Sequence, residues 1–306
     1  MSLLHERLAV RGVASPPTTG EPVPAAPRAA SGLAPASASD WMGALSPALR
    51  LDELSLPGTH DSGATLGGRW VACQELSISR QLELGVRYLD IRLSLQRGHF
   101  RVHHNQWFQQ LTLDEVLQAC RDFLALHPTE CVLLCLTQEY RRRDLAQLSG
   151  EWARVRHRFR DLLLDRRRVP SLGRARGRVV VVTRDGGFAG LEHADWSVHD
   201  DWHVASREHW QRRKWPAVTD HLRRARAARG DGRMWSCHAT SNGWRLPPRE
   251  ASRLLNPALA THFAELGPRP AGATLPERNG VILLDFPDED LLAAIWRRNL
   301  PGRAQS

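Results

Sequence analysis

The sequence predicts an α/β fold, a single irregular TIM-type (βα) barrel, from three observations. Short apolar runs alternate with amphipathic helical stretches from Trp41 onward. The length of 306 residues suits one such barrel without requiring a second domain. Charged side chains recur just beyond the apolar runs, at the strand ends where barrels of this kind place their chemistry.

Residues 1–10 mix charges and contain no apolar stretch of the roughly 7–15 residues that a classical cleavable signal peptide needs. Residues 11–40 are rich in Ala, Pro, Ser and Gly, a composition that buries too little apolar surface to offset its ordering entropy. The domain reading is a disordered leader over 1–40, either a tail or a segment directing export, followed by one barrel over 41–306.

Residues 54–57 read as the first strand, ending at Gly58, with 86–93 as the second and 100–103 as the third. Over 112–126, Leu113, Val116, Leu117, Cys120, Phe123 and Leu124 fall three and four apart, so this is a helix with Thr112 as its cap. The runs 131–136, 179–183, 234–237 and 281–286 are further inner strands, bounded by polar or Gly/Pro punctuation. Helices are expected over 145–164, 207–229, 251–266 and 290–298.

No run approaches the roughly 18 apolar residues of a membrane-spanning helix. The formal charge of +9 favours anionic partners, and Lys214 is the only lysine among the basic residues. No nucleic-acid-binding motif accompanies that charge, so nucleic acid is not an expected partner. The cysteines, Cys73, Cys120, Cys131, Cys135 and Cys237, are odd in number and lack CxxC spacing, so they read as buried hydrophobes. Cys131 and Cys135, four apart in one strand, share a face.

His60 and Asp61, Asp90 and Arg92, His103 and His104, Glu139, Arg184 and Asp285 all follow those strands. Such charge is costly to bury unless it lines one wet pocket. Two histidines, an arginine and several carboxylates form the set that transesterification of a phosphodiester requires: a base, an acid and a cation for the phosphorane. His103 and His104 are adjacent in a strand and point to opposite faces, so only one can enter the pocket.

Leu56-Pro57-Gly58-Thr59-His60-Asp61-Ser62-Gly63, then Arg87-Tyr88-Leu89-Asp90-Ile91-Arg92, then Val102-His103-His104, closely resemble the bacterial phosphatidylinositol-specific phospholipase C family, X-domain type. The resemblance runs on through Glu139-Tyr140, His199-Asp200-Asp201-Trp202, Asn256-Pro257 and Leu284-Asp285-Phe286. It implies that His60 is the general base on the inositol 2-hydroxyl, with Asp285 as its partner. His104, favoured over His103, would be the general acid toward the diacylglycerol oxygen, with Asp61 beside it. Arg92 would contact the phosphate and Asp90 would support that cluster. The implied products are diacylglycerol and inositol 1,2-cyclic phosphate. No metal and no other cofactor is expected, because a guanidinium at Arg92 cannot ligate Ca²⁺ but supplies its charge.

The same resemblance places Arg184, Asp200 and Trp202 at the inositol, with Gln138 where the family has a lysine and Asn105 where it has a glycine. Trp70 would lie in an interfacial segment, and Trp107 and Phe108 could join it, docking the barrel on an anionic membrane surface that holds phosphatidylinositol. Trp152, Trp210 and Trp296 fit helix packing. A monomer is expected, either cytoplasmic or exported without a classical signal, and peripheral at membranes when acting. Competing readings are another phosphodiester or a glycosylated inositol lipid, a metal-dependent glycerophosphodiesterase on the same barrel, and a non-catalytic lipid- or inositol-phosphate-binding protein.

Overall fold

The computed structural model describes residues 36–141, 143–204, 206–241 and 246–302, so most of the expected leader lies outside the described residues. In chain order the elements are β1 Ser55–Thr59, α1 Ile78–Glu83, β2 Tyr88–Gln96, β3 His99–His104, β4 Trp107–Thr112, α2 Leu113–Leu126, β5 Val132–Gln138, α3 Leu145–Arg158, β6 Leu163–Leu164 and α4 Leu172–Ala175. There follow β7 Val179–Thr183, β8 Leu191–Glu192, β9 Ser197–His199, α5 Arg207–His209, α6 Trp215–Ala227, β10 Trp235–His238, α7 Pro248–Glu265, β11 Gly280–Leu284 and α8 Glu289–Trp296.

A curled parallel ladder runs in the order β6-β7-β5-β2-β1-β11-β10-β9, with β8 also on β7. Among the described residues no pairing joins its two ends, which is the irregularity of the barrel. The hairpin β3–β4 extends β2 in antiparallel fashion, a departure from the βα pattern. Strand alternation sorts the apolar residues into two layers. Leu56, Tyr88, Leu133, Cys135, Val182 and Leu283 face the inside of the curl. Leu89, Ile91, Leu134, Val181 and Ile282 face outward onto the helices.

The expected α2 forms with a capping box: Thr112 Oγ1 accepts from the Glu115 amide while the Glu115 carboxylate accepts from the Thr112 amide. Residues 207–229 are not one regular helix. A π-helical turn, Trp210–Lys214, stands between α5 and α6, and the single extra residue it accommodates leaves no mark on apolar spacing. All five cysteines are buried and unpaired, with Cys131 and Cys135 in the inner cluster. Trp152 and Trp296 are buried in helix packing, and Trp210 stacks on Trp215 at 6.1 Å between ring centres. At the base of the barrel Arg87 and Glu130 form a fully buried ion pair of 2.8 Å. The Glu130 carboxylate also accepts from the amides of Met42 and Gly43, holding the entry to the barrel.

Candidate active site

The inward parity of the strands, within β2 and past the C-terminal ends of the others, builds the site. His60 follows Gly58, Asp90 and Arg92 follow Tyr88, Glu139 follows Cys135, Arg184 follows Val182 and Asp285 follows Leu283, each two or four residues on. The sharp turn after β1 is set by Asp61 at φ 42° and by Gly63, where a Cβ would stand 2.8 Å from Val102 Cγ1. Ser62 ties the turn to β2, its amide donating to the Asp90 carbonyl at 2.8 Å and its hydroxyl accepting from the Asp90 amide at 2.8 Å.

His60 sits at the centre. Its Nδ1 is 2.9 Å from Asp285 Oδ1, and its Nε2 accepts from Arg92 Nη2 at 2.8 Å. Gln74 secures both backbones, its Nε2 donating to the carbonyls of His60 and Leu284. Burial alone would lower the imidazole, but Asp285 and Asp61 outweigh it and push His60 up to about 9. With Nδ1–H on Asp285, the neutral ring offers its Nε2 lone pair to Arg92. A proton arriving at Nε2 has Asp61 Oδ2 waiting 3.4 Å away, a buried oxygen with no hydrogen-bond partner.

The same Asp61 oxygen is 3.7 Å from Nε2 of His104, so one carboxylate lies between both imidazoles. His104 is oriented from behind, its Nδ1 on the Val71 carbonyl at 2.6 Å, with Cys73 Sγ 3.9 Å away. His103 turns the other way, stacking on Tyr140 and meeting Gln96 at 3.0 Å, so His104 is the member of the pair that faces the cluster.

Arg92 is held by three carboxylates: Asp61 Oδ1 at 3.0 Å from Nε, Glu139 Oε2 at 3.3 Å from Nη1 and Asp90 Oδ2 at 3.5 Å from Nη2. Burial opposes ionisation of Asp90, yet Arg92 and Arg184 hold its carboxyl well below the ordinary range. Burial raises Glu139, against the pull of Arg92. His60, Asp61 and Cys73 bring one potential metal donor each within 4.8 Å of one another. A cation there would meet the Arg92 guanidinium bonded to both His60 and Asp61, so the set does not fit a metal ion.

A second group adjoins the first. Arg184 Nη2 donates to Nε2 of His238 at 2.9 Å, and Asp200 lies 3.9 Å from Arg184 and 3.6 Å from His238 Nδ1. Burial, reinforced by Arg184 and His60, pushes His238 well below its ordinary value and keeps it neutral. Trp202 is 57% exposed beside this group. His238 went unread in the sequence because the run 234–237 was closed one residue early, although the strand-end rule applies to it unchanged.

Gln138 is not brought to the site, and that expectation is corrected. It shares outward parity with Leu134 and Leu136, and its Oε1 accepts from the Arg143 amide. Thr137, paired in register with Arg92, is the residue with inward parity there. Asn105 stands at φ 50°, the left-handed region where asparagine is the usual substitute for glycine, and its amide donates to Glu139. Trp70 and Trp107 are 47% and 49% exposed, with Leu66 and Phe108 also exposed, on the loop and hairpin that flank His104.

The sequence profile described as "Phosphatidylinositol-specific phospholipase C, X domain" matches residues 58–185. A 1-phosphatidylinositol phosphodiesterase of Listeria monocytogenes is 22% identical, over 85% of this chain and 84% of its own. One from Staphylococcus aureus is 24% identical over 49% of this chain, which spans about half (52%) of that relative. The phosphatidylinositol-specific phospholipase C structure from Listeria monocytogenes superposes with a TM-score of 0.73 at 20% identity, over 86% of this chain and 99% of that one, and so shares its fold. Residues 58–185 thus match the X domain of phosphatidylinositol-specific phospholipase C, on a barrel whose fold the Listeria monocytogenes structure shares.

Proposed function

We propose that the chain cleaves phosphatidylinositol, without a metal, into diacylglycerol and inositol 1,2-cyclic phosphate. The observation that carries this reading is the single carboxylate of Asp61 between the Nε2 atoms of His60 and His104, with Arg92 bonded beside it. His60 removes the proton from the inositol 2-hydroxyl, and that oxygen attacks phosphorus. Arg92 balances the charge gathering on the phosphorane oxygens. His104 gives its Nε2 proton to the departing diacylglycerol oxygen, its ring held by the Val71 carbonyl. Asp285 stabilises the imidazolium that His60 becomes. Water then opens the cyclic ester slowly, with the two histidines exchanging roles.

Arg184, Asp200 and Trp202, steadied by His238, are the inositol-binding side of the pocket in this reading. Trp70 and Trp107, with Leu66 and Phe108, form the apolar rim that enters the membrane surface as a peripheral contact. Arg69, stacked over Trp70 at 5.1 Å, and Arg101, over Phe108 at 5.0 Å, add attraction for anionic lipid.

The test is phosphorus NMR of phosphatidylinositol vesicles incubated with the protein, with and without EDTA. The expected result is EDTA-resistant appearance of the five-membered cyclic phosphate. Direct formation of the monophosphate with no cyclic ester, or loss of turnover with EDTA, overturns the mechanism. No cleavage of this lipid returns the question to glycosylated inositol lipids or to a binding role.

A further inference from the structure

We propose that Lys214 is a positioning residue for head-group recognition, its ammonium fixing the segment 200–202 against the end of β10. The inference rests on the phosphatidylinositol reading above, because Asp200 and Trp202 are the groups it would position.

Lys214 is the only lysine of the chain. Lys214 is fully buried, at the last position of the π-helical turn that precedes α6. Its Nζ donates to the Asp201 carbonyl at 2.6 Å and to the His238 carbonyl at 2.6 Å. The first carbonyl lies in the loop after β9 and the second ends β10, so one ammonium joins two backbones. The loop it holds carries Asp200, which faces Arg184 and His238, and Trp202, whose own carbonyl accepts from Ser241 Oγ at 3.2 Å.

The choice of lysine has a steric reason. A compact ammonium on a four-carbon stem can donate in two unrelated directions inside a closed space, whereas a planar guanidinium is wider and suits a fork-shaped partner. The π turn supplies one extra residue and re-aims position 214 inward. In a chain otherwise furnished with arginine, lysine stands where one ammonium reaches two backbone carbonyls. His60 and His104 are held directly by Asp285, Arg92, Asp61 and Val71, and Lys214 hydrogen-bonds to none of these. Freeing the segment would therefore weaken hold of the sugar and leave proton transfer in place.

Lys214→Met keeps the stem and removes the donors. Steady-state kinetics would be read on phosphatidylinositol vesicles and on soluble inositol 1,2-cyclic phosphate, with the pH profile of kcat alongside. The expected result is a KM increase of about tenfold on both substrates, with kcat within about threefold and its pH profile unmoved. A fall in kcat at constant KM, or unchanged kinetics, overturns the positioning role. Ser241→Ala, which removes the other tether of the same segment, decides the matter if Lys214→Met does not fold. A smaller KM increase in the same direction supports the proposal, and unchanged KM overturns it. Wild-type protein inactive on both substrates would instead overturn the reading on which this one rests.

Discussion

Asp285 and His60, 225 positions apart in sequence, meet at 2.9 Å because β11 pairs with β1 in parallel register and each strand is followed directly by an inward-facing polar residue. The register places Leu284 opposite Thr59, so the next residue of each strand meets across the ladder. The carboxylate is therefore delivered to the imidazole by main-chain pairing.

Replacing Asp285 with Asn removes the leading charge that raises His60. The rising limb of kcat/KM against pH, which reports deprotonation of a general base, should then move to lower pH, with a reduced plateau. The shift also carries a stability term. Folding raises His60 from 6.5 to about 9, so its contribution is full below about pH 6.5 and is lost as pH climbs through about 9. Chemical denaturation at pH 6 and at pH 9.5 should show a larger loss in wild type than in His60→Gln.

His60→Ala and His104→Ala should each reduce kcat by about 10²–10⁴-fold, and the double variant by less than the product, since the two act on one proton cycle. Circular dichroism should remain that of the wild type. Near-normal turnover in either single variant would remove that histidine from the mechanism.

Arg92→Lys keeps the charge and loses the fork that reaches Asp61, Glu139 and His60 at once. Turnover should fall by about 10²–10³-fold, the cost of losing one preorganised donor to a developing anion. Recovery of full activity in this variant would show that charge alone suffices.

Trp70→Ala and Trp107→Ala should each weaken binding to phosphatidylinositol-containing vesicles by about tenfold while leaving hydrolysis of soluble inositol cyclic phosphate unchanged. Vesicle sedimentation read beside the soluble assay distinguishes docking from chemistry. Equal losses in both assays would place these rings in the pocket wall.

Glu130→Ala leaves Arg87 buried without its counter-charge and frees the amides of Met42 and Gly43. The expected cost is about 3–5 kcal/mol, measured by urea unfolding at neutral pH.

Much of this arrangement was legible in the sequence. Run 179–183 is β7 as read, and the helix after Thr112 begins where its cap predicted. The strand-end rule singled out His60, Asp61, Asp90, Arg92, the pair His103 and His104, Glu139, Arg184 and Asp285, and the structure brings all but His103 to the same end of the barrel. The two-residue strands β6 and β8 are too short to display a period, and β4, with the pattern WFQQLT, alternates too weakly to be read. Gln138 was expected at the inositol, but its parity in β5 turns it to the helix layer, since one position along a strand separates the pocket from the outside. Asp61 was expected as the partner of His104, but its role as a carboxylate common to both histidines depends on a left-handed turn that spacing does not reveal.

The enclosure of Lys214 also makes it a reporter of the fold's own openings. Over these 306 residues it is the sole side-chain amine, and in the folded state it is out of contact with solvent. An acylating reagent can reach it only when the β9–β10 region opens. Mass-spectrometric counting of label on this one residue, followed against time, would measure how often that side of the barrel comes apart, and an inositol ligand that slows the labelling would do so by keeping it shut.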